Sequence, residues 1–222
     1  FAQLYGLLDS VQAPSVSGLS TSTSVVPSLA PTPAKAHKVI ALKPLQQVVQ
    51  PRPPGFCTGC PERPIFAAMK LVEKELGPHH VSADIGCHLF SILPPFHIGN
   101  TTMGYGLGTA GASAMNVPAG KRAISIMGDG GFWHNGLTSG IANAVFNRSN
   151  NLTIVVDNSY TSATGGQDVL SSKALNPTRS TGHLIEKAVR GVGVEWVRTF
   201  KRTYDVAGMR DALKEALTST HA

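Results

Sequence analysis

RAISIM (residues 122–127) runs directly into GDGG (residues 128–131), and LTIVV (residues 152–156) runs directly into DN (residues 157–158). Each apolar run has the length of a buried strand and is followed at once by a polar turn. In a parallel sheet the carboxyl ends of neighbouring strands meet at one edge, where α/β folds bind ligands. We therefore expect the two turns to lie side by side at that edge.

The residue types in these turns indicate a site for a metal ion and a phosphorylated ligand. Glycines allow a backbone to approach a phosphate closely, and the first turn of the following helix offers N–H groups to an anion. Asp129 and Asn158 carry the hard oxygen atoms that Mg²⁺ prefers, and Mg²⁺ takes its other ligands from phosphate and water. Asp129 as a helix cap and Asn158 as an ordinary turn residue are the simpler alternatives. The pairing at two strand ends favours a magnesium–diphosphate site.

Four motifs resemble those of one enzyme family. Gly-Asp-Gly followed at this spacing by Asn158 resembles the cofactor motif of thiamine diphosphate enzymes. The segment DNSYTSATGGQ (residues 157–167) resembles the matching loop of 2-oxoacid:ferredoxin oxidoreductases, in particular the indolepyruvate type. FCTGCP (residues 56–61) and DIGC (residues 84–87) resemble further motifs of the same family. The resemblance runs from about Pro53 to about Thr218 and does not cover the first fifty residues.

The resemblance implies a set of site residues. Asp129, the Asn158 side chain and the backbone carbonyl of Tyr160 would bind Mg²⁺, and Gly130 and Gly131 would direct N–H groups at the diphosphate. The full set expected to contact thiamine diphosphate is Gly86, Cys87, His88, Met103, Gly104, Gly128, Asp129, Gly130, Gly131, Asn158, Tyr160, Thr161 and Thr164. No residue is assigned with certainty as catalytic, and the candidates are His88 and His134.

The family resemblance also implies a reaction and partners. The whole protein would oxidatively decarboxylate a 2-oxo acid, such as the aryl pyruvate indolepyruvate, to an acyl-CoA and pass the electrons to ferredoxin. The partners implied are the 2-oxo acid, coenzyme A, ferredoxin and a pyrimidine-binding domain or subunit in an oligomer. That second domain would supply the Glu that activates the cofactor. No such Glu motif is visible in this chain, so we expect the chain to be part of a larger enzyme.

The apolar periodicity predicts an α/β fold with a mostly parallel sheet and helices on both faces, the thiamine diphosphate-binding fold. Expected strands are 81–85, 122–127, 152–156 and 194–200, and expected helices are 64–76, 100–115, about 136–146, 184–190 and 206–217. Residues 1–12 are interpreted as the tail of a preceding domain and 13–54 as an extended linker rich in Pro and Ser. The thiamine diphosphate-binding domain is expected over 55–222.

Composition excludes several functions. Only 14% of residues are charged, and the net charge of +6 is dispersed without a basic cluster containing interleaved aromatics, so no nucleic-acid binding is expected. No apolar run reaches the ~20 residues of a membrane helix. The N-terminus lacks a cationic signal-peptide region, and its missing Met indicates a piece of a longer polypeptide. Three cysteines, an odd number, fit a reducing cytoplasm rather than a disulfide framework.

Cys57, Cys60 and Cys87 leave alternatives open. Three interpretations are open: the cysteines are inert buried thiols, they form a zinc site that His88 completes, or they are ligands of an iron–sulfur cluster. In pyruvate- and 2-oxoglutarate-type relatives this three-cysteine pattern holds a [4Fe–4S] cluster, but a fourth thiolate is needed and this chain has none. In the indolepyruvate type a His usually follows the Cys-Pro pair, and this chain has Glu62 there.

Two other functions compete with the oxidoreductase. A non-oxidative thiamine-dependent decarboxylase or synthase subunit would use the same magnesium–diphosphate site. Alternatively, Gly106-x-Gly108-x-x-Gly111 formally matches a dinucleotide-binding fingerprint. That fingerprint must follow a buried strand, whereas residues 96–103 make a poor strand, so small residues that pack beneath thiamine are the favoured interpretation.

Overall fold

A computed structural model describes residues 53–173 and 176–220, without the side chains of 117–119. The tail and almost all of the linker expected before residue 55 lie outside the described residues, so that division of the chain stays a prediction. Arg52–Ala222 is one compact unit. Within the described residues, none of the helices combines the length and apolar character needed to cross a bilayer.

The core element is a parallel sheet of three strands in the order β1-β2-β3: β1 (Val81–Ala83), β2 (Ile124–Gly128) and β3 (Leu152–Val156). Ile124 is paired with both Val81 and Leu152, so the strands are nearly in step and end at one edge. The helices are α1 (Arg63–Leu76), α2 (Gly108–Ala119), α3, which runs through Asp129–Gly131, Phe132–Ala142 and Asn143–Phe146, α4 (Ile185–Gly191) and α5 (Val206–Thr218). This confirms the predicted α/β class and parallel sheet.

Strand alternation divides the core into two layers. Ile124 and Ile126 of β2 belong to a cluster with Ile65, Phe66 and Met69 of α1 and with Met209 of α5. On the opposite face, Met127 belongs to a second cluster with Phe132 and Ile141 of α3 and Val189 of α4. Because successive strand residues point to opposite faces, one apolar strand supports helices on both sides.

Helix α1 shows why local sequence predicts these elements well. Pro64 occupies the first turn, where its missing N–H costs nothing. Ile65, Met69 and Val72 recur at helical spacing and are buried. The helix ends at Gly77, whose positive φ of 77° and N–H bond to the Glu73 carbonyl close the last turn.

Three sequence predictions were wrong in part. Residues 194–200 form no strand; Val194 and Val197 pack against the second cluster, and the Val194 N–H is taken by the Val189 carbonyl at the end of α4. Helix α2 begins at Gly108 and not at residue 100, because the Gly106 N–H is bonded to Asp84 and the chain turns there with a φ of 80°. Helix α3 begins at Asp129, directly after β2.

The middle of α3, Phe132–Ala142, is π-helical, and its glycines let it pack closely on the sheet. A Cβ at Gly136 would lie 2.6 Å from Met127 Sδ, and a Cβ at Gly140 would lie 3.1 Å from the Thr109 Cβ. Close packing here holds the first turn of α3, which carries Asp129, against the end of β2. The fold thereby positions the candidate site.

Candidate functional site

An open cleft lies at the carboxyl edge of the sheet. It is formed by the segments that follow β1, β2 and β3 and by the residue that precedes α1. Its lining residues are Glu62, Ile85, Gly86, Cys87, His88, Tyr105, Gly128, Asp129, Gly130, Gly131, Val156, Asn158, Thr161, Ser162 and Ala163. The structure therefore brings both of the polar turns singled out from the sequence into one cleft.

Three oxygen atoms converge in this cleft. The end of the Asn158 amide that carries its oxygen lies 3.3 Å from Asp129 Oδ1 and 2.6 Å from the Tyr160 carbonyl oxygen. The amide nitrogen is directed to Ser162 Oγ, at 2.6 Å. Without a cation the reversed amide would be favoured, because its nitrogen would then donate to both oxygens. With Mg²⁺ between them, the three oxygens become ligands. The residues present therefore fit a magnesium ion.

The surroundings of the Asp129 carboxylate disfavour its negative charge. Its side chain is buried, and burial together with the neighbouring Asp157 carboxyl raises the pKa of Asp129 to about 6. A divalent cation would offset both effects, since it favours the ionised form of each carboxyl. Gly130 donates its N–H to Asp129 Oδ1 at 2.8 Å, and its predicted contact with the diphosphate stays a prediction.

Gly130 and Gly131 are required for close packing. A Cβ at Gly130 would lie 2.6 Å from the Thr161 Oγ1, and the Tyr105 hydroxyl would be closer still. A Cβ at Gly131 would lie 2.5 Å from Asp84 Oδ2. The loop after β1 and the loop after β3 therefore meet over the first turn of α3, which only glycine permits.

Asp84 and Tyr105 were not among the residues predicted individually. Asp84 is fully buried, and its Oδ2 accepts the Gly106 N–H at 2.6 Å. Burial raises the pKa of the Asp84 carboxyl. The Tyr105 ring packs against His134 with 5.3 Å between centroids, and its hydroxyl lies over Gly130. The only sequence signal for Asp84 was its place in the DIGC motif.

Glu62 and His88 form one wall of the cleft. Both are buried, and Glu62 Oε2 lies 4.0 Å from His88 Nδ1, too far for a hydrogen bond. Burial raises the pKa of Glu62 to about 7 and lowers the pKa of His88 to about 4. His88 is therefore neutral near neutral pH, whereas Glu62 gains or loses its proton in that range. The sequence indicated His88 as a pocket residue, but Glu62 was noted only as a departure from the family pattern.

The cysteines lie near this wall. Cys57 is exposed, whereas Cys60 and Cys87 are half-buried. Burial, followed by the Glu62 carboxyl, raises the pKa of the Cys60 and Cys87 thiols. Across residues 53–173 and 176–220, no three His, Cys, Asp or Glu side chains are grouped so that they could hold a metal ion. The three cysteines and His88 therefore form no preassembled zinc or cluster site within the described residues.

Other predicted residues lie at or beyond the cleft margin. Met103 is 63% exposed, and Gly104 forms a turn with a φ of 157°; neither lines the cleft. Thr164 is bonded to Gln167 within its own loop. His134 is exposed on α3, where it contacts Tyr105 and not the cleft.

The glycines of the formal dinucleotide fingerprint pack inside the protein. A Cβ at Gly106 would lie 2.5 Å from the Gly131 carbonyl oxygen, and a Cβ at Gly111 would lie 2.6 Å from Ser82 Oγ. Neither backbone is open to a pyrophosphate. These small residues therefore pack within the fold, and their predicted position beneath thiamine stays a prediction.

Comparisons with known proteins agree with this geometry. Residues 84–222 match the family described as thiamine pyrophosphate enzyme, C-terminal TPP binding domain. The chain is 36% identical over 197 residues to indolepyruvate oxidoreductase subunit IorA of Pyrococcus horikoshii, covering 79% of this chain and 28% of that protein. It is 32% identical over 194 residues to the subunit of the same name in Archaeoglobus fulgidus, covering 83% of this chain and 28% of that protein. The chain thus spans little more than a quarter of these relatives.

A solved structure shares the fold. It is the 2-oxoglutarate:ferredoxin oxidoreductase from Magnetococcus marinus with 2-oxoglutarate, coenzyme A and succinyl-CoA bound. The TM-score is 0.57 at 18% sequence identity, over 82% of this chain and 65% of that chain. At this identity the likeness concerns the fold alone.

Proposed function

Because the chain belongs to the thiamine pyrophosphate enzymes, through their C-terminal TPP binding domain, we propose that it binds the diphosphate and Mg²⁺ in a 2-oxoacid:ferredoxin oxidoreductase. The substrate proposed is an aryl pyruvate such as indolepyruvate, since the relatives named above are indolepyruvate oxidoreductase subunits. The products are an acyl-CoA, carbon dioxide and electrons that pass to ferredoxin.

The convergence of oxygens from Asp129, Asn158 and Tyr160 carries this proposal. Three protein oxygens leave the remaining positions of an octahedral Mg²⁺ for diphosphate oxygens and water. The ion neutralises charge on the diphosphate, which otherwise would face the carboxyls of Asp129 and Asp157. A cation at this point would let an anionic ligand lie in the cleft beside the Asp129 carboxyl, which Asp157 adjoins.

The chain's own residues bind and orient the cofactor, whose thiazolium ring supplies the electron-accepting chemistry for decarboxylation. Asp129, the Asn158 amide oxygen and the Tyr160 carbonyl hold the metal. Gly86, Cys87 and His88 line the wall that follows β1, and Thr161 lies beside the first turn of α3. Met103 and Gly104, at the margin, are proposed to face the aminopyrimidine side. The exposure of Met103 fits a position at a junction with another domain.

The partners follow from the proposed reaction. The relatives are named as subunits and extend well beyond the matched region. We assign the aminopyrimidine-binding role, with its activating Glu, to a domain or subunit outside the described residues, in an oligomer located in the cytoplasm. Any [4Fe–4S] cluster on Cys57, Cys60 and Cys87 would need a fourth ligand from outside this chain, because four thiolates complete such a cluster.

A calorimetric titration of the 222-residue chain with thiamine diphosphate tests the site. Asp129→Ala and Asn158→Ala should each weaken binding ~100-fold or more in Mg²⁺, because even an outer partner of a metal ligand is worth 10- to 100-fold. The matched controls are Asp211→Ala and Asn143→Ala, which are exposed and distant from the cleft. Unchanged affinity in both site variants would contradict the metal assignment.

The non-oxidative decarboxylase alternative shares the metal site and differs in electron flow. Incubation of the complete protein with a 2-oxo acid, coenzyme A and a viologen acceptor separates the two. Carbon dioxide release with viologen reduction supports the oxidoreductase, and release without reduction supports the decarboxylase. Because the titration above measures binding alone, its result stands whichever reaction is found.

A further inference from the structure

Ser159 has a strained backbone in the loop that follows β3. Its φ is 72°, a left-handed conformation that residues with a Cβ rarely adopt. Ser159 stands between Asn158 and Tyr160, which supply two of the three oxygens assigned to the metal. A change in the Ser159 backbone would therefore turn these two oxygens relative to each other. Such conformations persist only where surrounding contacts hold them, so the contacts of Ser159 matter for the metal site.

The buried hydroxyl of Ser172 holds Ser159. Ser172 is 1% exposed, and its Oγ lies 2.7 Å from the Ser159 carbonyl oxygen and 2.8 Å from the Val169 nitrogen. Because the Val169 N–H can only donate, the hydroxyl accepts that bond and directs its single proton to the Ser159 carbonyl. The Ser159 N–H also bonds to Asp157 Oδ1 at 3.0 Å, but Asp157 is exposed to water. Ser172 therefore supplies the buried contact at Ser159.

Ser172 is itself fixed to the rest of the fold. Its carbonyl accepts the Gly182 N–H at 3.0 Å. Its neighbour Ser171 accepts a hydrogen bond from Trp133 Nε1 at 3.0 Å, and Trp133 belongs to α3. Helix α3 also carries Asp129 in its first turn. This segment therefore ties the loop with two of the metal ligands to the helix with the third.

The Tyr160 carbonyl is oriented from both ends of its loop. The Thr161 N–H, which belongs to the same peptide unit, donates to the Gln167 carbonyl at 2.9 Å. The C=O and N–H of a trans peptide point in opposite directions, so the Tyr160 oxygen points away from Gln167. It lies 2.6 Å from the end of the Asn158 amide that carries its oxygen. Gln167 fixes this peptide from one side, and the Ser159 conformation fixes it from the other.

We propose that Ser172 is a positioning residue of the metal site, whose hydroxyl holds Ser159 in the left-handed conformation. The loop thereby keeps the Asn158 side chain and the Tyr160 carbonyl directed at Mg²⁺. The proposal rests on the proposed function, which it deepens. Ser172 does not line the cleft, so it acts through the loop and not by contact with the ion or the cofactor. Outer partners that orient metal ligands typically contribute ~10- to 100-fold in metal affinity.

The test titrates Mg²⁺ into the complete protein at a saturating concentration of thiamine diphosphate. Calorimetry measures the Mg²⁺ affinity, with the heat of Mg²⁺ binding to free cofactor subtracted. Ser172→Ala should weaken that affinity ~10- to 100-fold. The Ca²⁺ affinity should fall at least about threefold less, since Ca²⁺ accepts irregular coordination and Mg²⁺ requires a near-ideal octahedron.

The matched control is Ser91→Ala. Ser91 is also fully buried, its hydroxyl donates to the Ile98 carbonyl at 3.0 Å, and it does not line the cleft. The control variant therefore removes the same kind of hydrogen bond at another place in the fold. It should lower stability as Ser172→Ala does and leave the Mg²⁺ affinity within about threefold of the wild-type value.

Ser159→Gly separates positioning from folding. Glycine adopts a left-handed conformation without steric cost, so a glycine at this position needs no hydroxyl to hold it. In the Ser159→Gly background, Ser172→Ala should therefore change the Mg²⁺ affinity by less than about threefold. The same loss in both backgrounds, an equal loss for Mg²⁺ and Ca²⁺, or no loss at all would overturn the proposal.

If Ser172→Ala does not fold, Ser172→Cys replaces it in both backgrounds, because a thiol is similar in size and only a weak donor. Failure of both variants to fold, judged by thermal unfolding, would show that the fold itself requires the hydroxyl and would overturn the positioning role. The proposed function fails on a different measurement. If wild-type protein shows no Mg²⁺-dependent binding of thiamine diphosphate, the metal site is refuted and the role of Ser172 with it. If wild-type protein binds and Ser172→Ala binds equally well, only the role of Ser172 is refuted.

Discussion

Replacing Glu62 by Gln should make the folded chain more resistant to alkaline pH. Burial raises the pKa of Glu62 to about 7 from an ordinary 4.5. Between these two values the unfolded chain has lost the proton and the folded chain has kept it. The folded state then binds more protons than the unfolded state, so stability falls as pH rises through this window. Gln at this position has no proton to lose and removes that dependence.

The size of the effect follows from the two pKa values. The difference between about 7 and 4.5 corresponds to about 3 kcal/mol, at about 1.4 kcal/mol for each pH unit. The carboxyl is buried, so solvent screening takes little from this figure. The stabilisation from protonated Glu62 is complete below pH 4.5 and is lost above pH 7. The variant should therefore gain about 3 kcal/mol on wild-type protein over that range.

Urea unfolding at pH 4.5 and pH 8, for wild-type protein and Glu62→Gln, measures this difference. Glu75→Gln is the matched control. Glu75 is an exposed glutamate, and a hydrogen bond from Lys214 lowers its pKa. A lowered pKa acts in the opposite sense, so Glu75 contributes above its unfolded pKa and loses that contribution as pH falls. A wild-type-minus-variant difference for Glu62 that stays within ~0.5 kcal/mol across pH would refute the argument, since such a value is typical of a surface substitution.

Three further predictions concern packing, completeness and the cysteines. Gly106→Ala should lower stability by ~1–3 kcal/mol or more in thermal unfolding, because its φ is 80° and its Cβ would meet the Gly131 carbonyl; Gly191→Ala, with open space around it, should be neutral or stabilising. The 222-residue chain alone should oxidise no 2-oxo acid with a viologen acceptor, and turnover at an enzymatic ~1 s⁻¹ would contradict the need for a second domain. Purified without oxygen, the chain alone should be colourless. An iron and sulfide content that decreases in Cys57→Ser or Cys87→Ser would instead indicate a cluster, and stoichiometric zinc would indicate a site completed by His88.

The strands and the meeting of Asp129 with Asn158 could be predicted from sequence because their signals are local. An apolar run followed by a polar turn can be recognised from a few consecutive residues, as at β2 with Asp129 and at β3 with Asn158. The parallel sheet then brings the carboxyl ends of the strands together, because β2 and β3 are paired from their first residues to their last. The same logic was wrong for residues 194–200, where an apolar run packs through its side chains without joining the sheet. Periodicity reports which residues are buried and does not report whether the backbone is paired.

What the sequence by itself determined is the α/β class, the parallel strands β1 to β3 and the meeting of Asp129 with Asn158, since each depends on a strand and the turn that follows it. Only the tertiary structure decided that Glu62 faces His88, that Asp84 holds Gly106, and that the Tyr105 hydroxyl lies over Gly130. The two residues of each pair lie 22 to 26 positions apart along the chain. Their contacts arise because α1, the loop before α2 and the first turn of α3 pack against one end of one sheet. Side-chain proximity across such packed elements is set by the close fit of the whole interior, which no local pattern encodes.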